Sequence, residues 1–348
     1  MTDLLPGLTE DHLDTPRLRT ALLSDGRVDG ELVVFVHGNV SSSLFFQQAL
    51  LALPEGFHGI APDLRGFGAS EVAPVDATRG LRDFSDDLLS LLDTLGEDRA
   101  HLVGWSMGGG VVTQLLLDRP ALVSSLTLIS PVSPYGFGAT RGSDGERLGP
   151  DDQGAGGAGA NPEFVEALQV HDATDTQPNS PRNVLNAFYF ANGFRSPLED
   201  VFVASMLTTA IGDDNYPGDS VQCDPWPGFG PGRRGVLNTM APANHNVSAV
   251  VDLATKPRVL WVRGDKDLIV SDASVFDLAT LGQMGAIPGW PGEEVAPPQP
   301  MVSQTRAVLD AYSAAGGRYT ELTLDAGHSP HIERAEEFHD ALVAHLHG

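Results

Sequence analysis

Residues 100–117, AHLVGWSMGGGVVTQLLL, limit what this chain can fold into more than any other stretch. An apolar run leads into GWSMGGG (Gly104 to Gly110), and a second apolar run leaves it. The pattern predicts a strand, a sharp turn and a helix, with Ser106 at the apex. In a G-x-S-x-G turn, small flanking residues let the backbone bend so tightly that the serine hydroxyl stands clear of the sheet. A serine hydroxyl is a weak nucleophile until a base takes its proton, and that base needs a partner to fix its tautomer. The rest of the chain must therefore supply both.

The flanking sequence predicts a sheet able to do so. RLRTALL (17–23), ELVVFVHG (31–38), HGIAPD (58–63), AHLVGWS (100–106) and LVSSLTLISPV (122–132) read as strands, the second apolar without alternation, as for a strand covered on both faces. Ser41, Ser42 or Ser43 can cap a helix over SLFFQQALLAL. Leu81, Phe84, Leu88, Leu91, Leu92 and Leu95 recur at helical spacing. Residues 1–14 read as a loose polar lead-in. Alternating strands and amphipathic helices imply a mostly parallel, doubly wound α/β sheet, whose functional groups gather at the carboxyl ends of the strands. HGN (37–39), DLRG (63–66) and GWS (104–106) all fall at such ends.

The alternation stops near residue 133. Residues 137–162, rich in Gly, Asp and Ala, read as a mobile loop or linker. Residues 163–210 read as helical, and 211–246 as turn-rich. The chain is expected to carry a core of residues 1–132 and 253–348, interrupted by a mainly helical cap over 133–252. RVLWVRGDKD (258–267) resumes the strand pattern. Helices are expected over 271–282 and 301–314, separated by a Pro/Gly-rich excursion at 285–300 that reads as a second lid. RYTELTLDAGHS (318–329) closes the sheet, and IERAEEFHDALVAHLHG forms a last amphipathic helix.

Two of the later strand ends carry what Ser106 needs. Asp267 follows one and His328 the next, in the order Ser, Asp, His. His328 would act as base and then acid, with Asp267 holding its imidazole. Asp265 and His331 are the competing positions: only the later aspartate leaves the turn long enough to reach His328, and His331 falls in the next helix start. The backbone N–H of Met107, at a helix N-terminus, and that of Asn39, in the HGN loop, would receive a developing oxyanion.

With these residues in hand, the chain resembles the α/β-hydrolase fold enzymes. The matching segments are HG (37–38), DLRGFGAS (63–70), GWSMGG (104–109), GDKDLIV (264–270) and AGHSPHIE (326–333). The resemblance implies Ser106 as nucleophile, Asp267 as acid, His328 as base, and Asn39 and Met107 as the oxyanion hole. HGN followed by serines resembles the haloalkane dehalogenases, but these use an aspartate where Ser106 stands. GWSMGGG resembles serine esterases, lactonases, perhydrolases and carbon–carbon bond hydrolases. The expectation is a hydrolase acting through an acyl-enzyme on a mid-sized apolar or aromatic ester or lactone. A diketone-type carbon–carbon hydrolase, a perhydrolase and a ligand receptor on the same scaffold remain alternatives. No metal or organic cofactor is implied. Trp105, Phe188, Tyr189, Phe190, Phe194 and Trp226 are candidate substrate contacts, although packing alone would account for each.

Composition narrows the partners. Acidic residues number 46 against 21 basic, a net charge of −25, which disfavours nucleic acid and anionic lipid. The expected partner is a small-molecule ester or lactone, with neither nucleic acid nor membrane, and with a homodimer entertained as the assembly. No apolar run reaches membrane-spanning length, and the acidic start lacks the blocks of a signal peptide, so a cytoplasmic location is expected. Cys223 is the only cysteine and reads as a packed thiol. The acidic run at 212–214 reads as a solvated turn rather than a metal site.

Overall fold

A computed structural model describes residues 4–348. Its centre is an eight-stranded sheet made of β1 (Thr9–Asp14), β2 (Arg19–Ser24), β3 (Glu31–Val36), β4 (Phe57–Pro62), β5 (Ala100–Trp105), β6 (Val123–Ile129), β7 (Arg258–Gly264) and β8 (Tyr319–Leu324). The spatial order is β1-β2-β4-β3-β5-β6-β7-β8. β2 runs antiparallel to both β1 and β4, and every pairing from β4 to β8 is parallel. Residues 9–14, expected to be loose, instead form the edge strand β1. Its side chains are mostly exposed, so no apolar signal marked it, and ladder bonds to β2 hold it in place.

β3 shows why the middle of the sheet is fixed. Leu32 to Val36 are at most 2 % exposed, because helices cover both faces. A one-residue register slip would gain nothing in a strand apolar on both sides, so the ends of β3 are set by its neighbours and turns. The main helices are α1 (Arg82–Leu95), α2 (Met107–Asp118), α3 (Pro162–Gln169), α4 (Glu199–Met206), α5 (Met301–Ala314) and α6 (Ala335–His347). α1 buries Phe84, Leu88, Leu91 and Leu92, the stripe its sequence spacing predicts, and ends on Gly96 in the left-handed region. Ser42 caps the short helical turn at Ser43–Phe46 by accepting from Leu44 N–H. The helix expected over 271–282 is shorter, Leu278–Gln283, because Asp277 caps it and the preceding residues turn back on themselves.

The stretch from 133 to 252 is inserted between β6 and β7 and does not stand apart from the sheet. Phe164, Leu185, Phe190, Phe202, Met206 and Met240 belong to the same contiguous hydrophobic cluster as the strands. The Gly/Ala-rich segment read as a linker is packed. Thr140 and Asp152 are buried, Gly157 N–H donates to Asn238 Oδ1, and Asp152 receives Ala243 N–H. Its small residues let the backbone run close to neighbouring loops, and low sequence complexity hid that. The 285–300 excursion is anchored by Gln299. Gln299 N–H donates to Asp277, its amide nitrogen to Gly136 O, and its amide oxygen receives Gly138 N–H.

Candidate active site

The chain reverses at Ser106 because three backbone hydrogen bonds pin it there. Ser106 N–H donates to Ile129 O, and Ser106 O accepts from Gly109 N–H and Val132 N–H. The residue sits at φ 57°, ψ −123°, a strained conformation for any side chain other than glycine. Its neighbours are small of necessity. A Cβ on Gly108 would lie 2.1 Å from Val36 O. The turn thus grips the end of β3 and presents the hydroxyl at the sheet edge.

The HGN loop lies directly against that hydroxyl. A Cβ on Gly38 would be 2.7 Å from Ser106 Cβ and 3.2 Å from its Oγ. Val40, a β-branched residue, is held at φ 45°. Tyr189 reaches in from the insertion and donates its hydroxyl to Asn39 O and Val40 O at 3.1 and 3.3 Å. His37 braces the loop from within. Leu64 N–H donates to its Nε2, so the ring proton is on Nδ1 and is given to Gly38 O. Burial pushes His37 down to about 4, which keeps the ring neutral and structural. Both carbonyls at Asn39 and Val40 are thereby engaged, whereas the Asn39 N–H is not. Among the described residues, neither it nor the Met107 N–H at the start of α2 donates to a protein acceptor.

β7 and β8 deliver the other two groups. Asp267 Oδ1 accepts from Ile269 and Val270 N–H, which leaves Oδ2 to receive the Nδ1–H of His328 at 2.8 Å. Both side chains are nearly inaccessible, at 3 % and 2 %. A carboxylate on Nδ1 fixes the tautomer and leaves Nε2 with its lone pair. Among the described residues the Ser106 hydroxyl has no protein partner. Contacts from such a hydroxyl to its base are often long before substrate binds. Asp265 is exposed and far less constrained.

Other residues hold the imidazole in place. Trp105 is 1 % exposed and donates Nε1–H to the His328 carbonyl at 2.9 Å. Glu333 accepts Gly327 N–H on one oxygen and Ala191 N–H on the other, each at 2.8 Å. It ties the His328 loop to the insertion. Burial pushes its carboxyl above the usual range, against the pull of the two amide donors. Sequence reasoning missed Glu333; its position five residues beyond His328 was the available signal. His331 is buried behind Trp105, and burial pushes it down to about 3. The loop arginine Arg65 is bonded twice to Asp87 on α1 at 2.6 and 2.7 Å, which makes DLRG a structural clamp.

Ser106, His328, Asn39 and Trp105 open onto a cavity of about 570 Å³. A pocket of that size suits a mid-sized ligand. Of the aromatic candidates, Phe188 and Tyr189 form part of its wall. Phe190 and Phe194 do not: they pack edge to face with each other inside the insertion, 5.0 Å between centroids. Trp226 also lies outside the wall, its indole N–H given to Pro288 O. The wall owes more to two stretches the sequence did not mark. One is the small-residue strip from Gly154 to Ala160; the other runs from Ile269 to Ile287 and includes Phe276, set edge to face against Phe188. Among the described residues, no group of three or more His, Cys, Asp or Glu is placed to hold a metal ion.

Residues 31–281 match the family model for the alpha/beta hydrolase fold, some seven-tenths of the chain. The chain belongs to that family. The α/β hydrolase shares 43 % identity over 106 residues with a protein of Variovorax paradoxus provisionally named carbamate hydrolase RutD, covering 30 % of this chain and 40 % of that one. It is 32 % identical over 107 residues to the 2-hydroxy-6-oxo-6-phenylhexa-2,4-dienoate hydrolase of Comamonas testosteroni, covering 30 % and 37 %. Its matches span about a third to a half of the length of the curated relatives. Among solved structures, the enol-lactonase of Burkholderia xenovorans superposes with a TM-score of 0.58 at 19 % identity, covering 97 % of this chain and all of that one. The carboxylesterase CesB of Bacillus subtilis gives 0.56 at 16 %, covering 97 % and 91 %. At such identities the likeness establishes the fold alone. No helix of the described chain is long and apolar enough to cross a membrane.

Proposed function

We propose that this α/β hydrolase cleaves a carboxylic ester or lactone through an acyl-enzyme on Ser106. The observation that carries the reading is the pairing of His328 with Asp267 at the edge of a cavity that also holds Ser106. His328 Nε2 takes the Ser106 proton as Oγ attacks the carbonyl carbon. Asp267 keeps Nδ1 protonated and stabilises the imidazolium that forms. The negative oxygen of the tetrahedral intermediate is received by the N–H groups of Asn39 and Met107, each worth about 2.7–4 kcal/mol in the transition state. The imidazolium then protonates the leaving alcohol. Water, deprotonated by the same ring, releases the acid.

In this reading residues 133–252 form the cap, and the strip at 154–160 with the wall at 269–287 shapes the space for a mid-sized apolar substrate. The small molecule is the only partner the reading requires. The experiment is turnover of p-nitrophenyl esters and simple lactones beside a vinylogous diketone. Ester or lactone turnover that disappears in Ser106→Ala supports the reading. Turnover of the diketone alone would replace it with carbon–carbon bond cleavage.

A further inference from the structure

The cavity over Ser106 is walled mainly by apolar side chains, and among the described residues neither lysine nor arginine lines it. Its one carboxylate, Asp277, is 4 % exposed and already occupied, receiving Ala279 N–H on one oxygen and Gln299 N–H on the other. The wall amides are largely engaged too. Asn161 Oδ1 receives Glu163 N–H, and Asn179 Nδ2 donates to Glu163. The Asn39 amide oxygen is enclosed and unpartnered, while its nitrogen faces Met240 Sδ.

Tyr216 is different. It is 7 % exposed and lines the cavity, and among the described residues its hydroxyl has no hydrogen-bond partner. Its backbone is fixed by Tyr216 N–H donating to Ala210 O and by Val236 N–H donating to the preceding Asn215 O. Burial raises the phenol well above its ordinary range, so it is a neutral O–H at any working pH. The hydroxyl is not sealed within protein but reaches the open space of the cavity, where a ligand atom can pair with it as donor or acceptor.

We propose that this cavity selects uncharged substrates, and that the Tyr216 hydroxyl receives one hydrogen-bonding group of the substrate besides the scissile ester. The inference rests on ester hydrolysis at Ser106 and goes beyond it by naming the substrate class. A substrate carboxylate would be desolvated against apolar walls and Asp277 with no cation to meet it, a cost that neither Tyr216 nor an amide offsets. A neutral carbonyl, amide or hydroxyl would pair with Tyr216 without carrying a charge against the apolar walls.

The test uses three sets of p-nitrophenyl esters with acyl chains of increasing length, ending in isopropyl, primary amide or carboxylate. These ends have nearly one shape and differ in polarity and charge. In the wild-type protein, kcat/KM for the carboxylate set is expected at least about 100-fold below the amide set at every length. Tyr216→Phe is expected to lower kcat/KM for the best amide substrate about tenfold, mostly through KM, and to leave the isopropyl set within about twofold. Carboxylate esters turned over within about threefold of the amides would overturn the charge selection, and that comparison needs no variant. A Tyr216→Phe protein that loses all three sets equally, or none, would overturn the role of the phenol while leaving ester hydrolysis standing. Absence of turnover for every ester in the wild type would overturn the ester reading and this one together.

Discussion

His328 Nδ1 and Asp267 Oδ2 lie 2.8 Å apart, with both side chains nearly inaccessible to water. The remaining oxygen of Asp267 is committed to two backbone amides, so the carboxylate cannot rotate away. Asp267→Asn keeps the shape but offers an N–H where an acceptor is needed, or flips and loses the amide bonds. In the proposed mechanism Asp267 acts by fixing the tautomer, so the expected result is a drop in kcat of about 10⁴-fold with KM little changed. Steady-state kinetics on a p-nitrophenyl ester, with thermal unfolding to confirm the fold, checks this.

Glu333 joins the His328 loop to the insertion through one hydrogen bond per oxygen. Glu333→Gln places an NH₂ group against one of the two amide donors. Leaving such a buried donor unpaired costs about 1–3 kcal/mol. The variant should unfold at correspondingly lower urea with an unchanged m-value. Its kcat should fall about tenfold or more, because a small displacement of a positioned catalytic group is expensive. A variant with lower stability and wild-type kcat would show Glu333 to be structural alone.

Gly38 touches Ser106. An alanine there would place its methyl 2.7 Å from Ser106 Cβ and 3.2 Å from Oγ. The loop must move or the serine must turn, and either disturbs the proposed alignment of Ser106 with the Asn39 N–H. Losing one oxyanion donor corresponds to about 10²–10³ in kcat. Gly38→Ala should therefore fold, retain ligand binding within a few fold, and lose catalysis by about that factor, as seen in kcat measured beside inhibitor affinity.

His245 is 2 % exposed, and both its ring nitrogens lack partners. Burial pushes it down to about 4 from an ordinary 6.5. The native state holds it neutral, whereas the unfolded chain takes a proton below 6.5. Its contribution is complete above that pH and is lost as the pH falls toward 4, with a slope of up to about 1.4 kcal/mol per pH unit. His37 and His331 shift in the same direction, and both remain when His245 alone is replaced. Unfolding free energy measured at pH 7.5, 5.5 and 4.5 should fall less steeply for His245→Leu than for wild type; parallel curves would show that His245 is not buried neutral.

The sheet was legible because its signals are local. The unbroken apolar runs of β3 and β5, the leucine spacing of α1 and the tight G-x-S-x-G turn each declare themselves within a few residues. Asp267 and His328 were legible because each follows a strand. β1 was not, since its residues are mostly exposed and its order comes from pairing with β2. The cavity wall was the least legible part. Phe190 and Trp226 look like binding aromatics but pack elsewhere, while glycines and alanines that looked like a linker make the space. A cavity is formed by what residues leave empty, and that depends on contacts distant in sequence: Gln299 with Gly138, Asn238 with Gly157, and Tyr189 with Asn39.

The central claim is that the hydroxyl of Ser106 carries the acyl group. The most direct measurement is denaturing mass spectrometry of the protein after brief exposure to a fluorophosphonate, followed by peptide mapping. The account predicts a single adduct on the peptide containing Ser106, absent from Ser106→Ala and strongly slowed in His328→Ala. An adduct that persists in Ser106→Ala, or that maps to another serine, would contradict it.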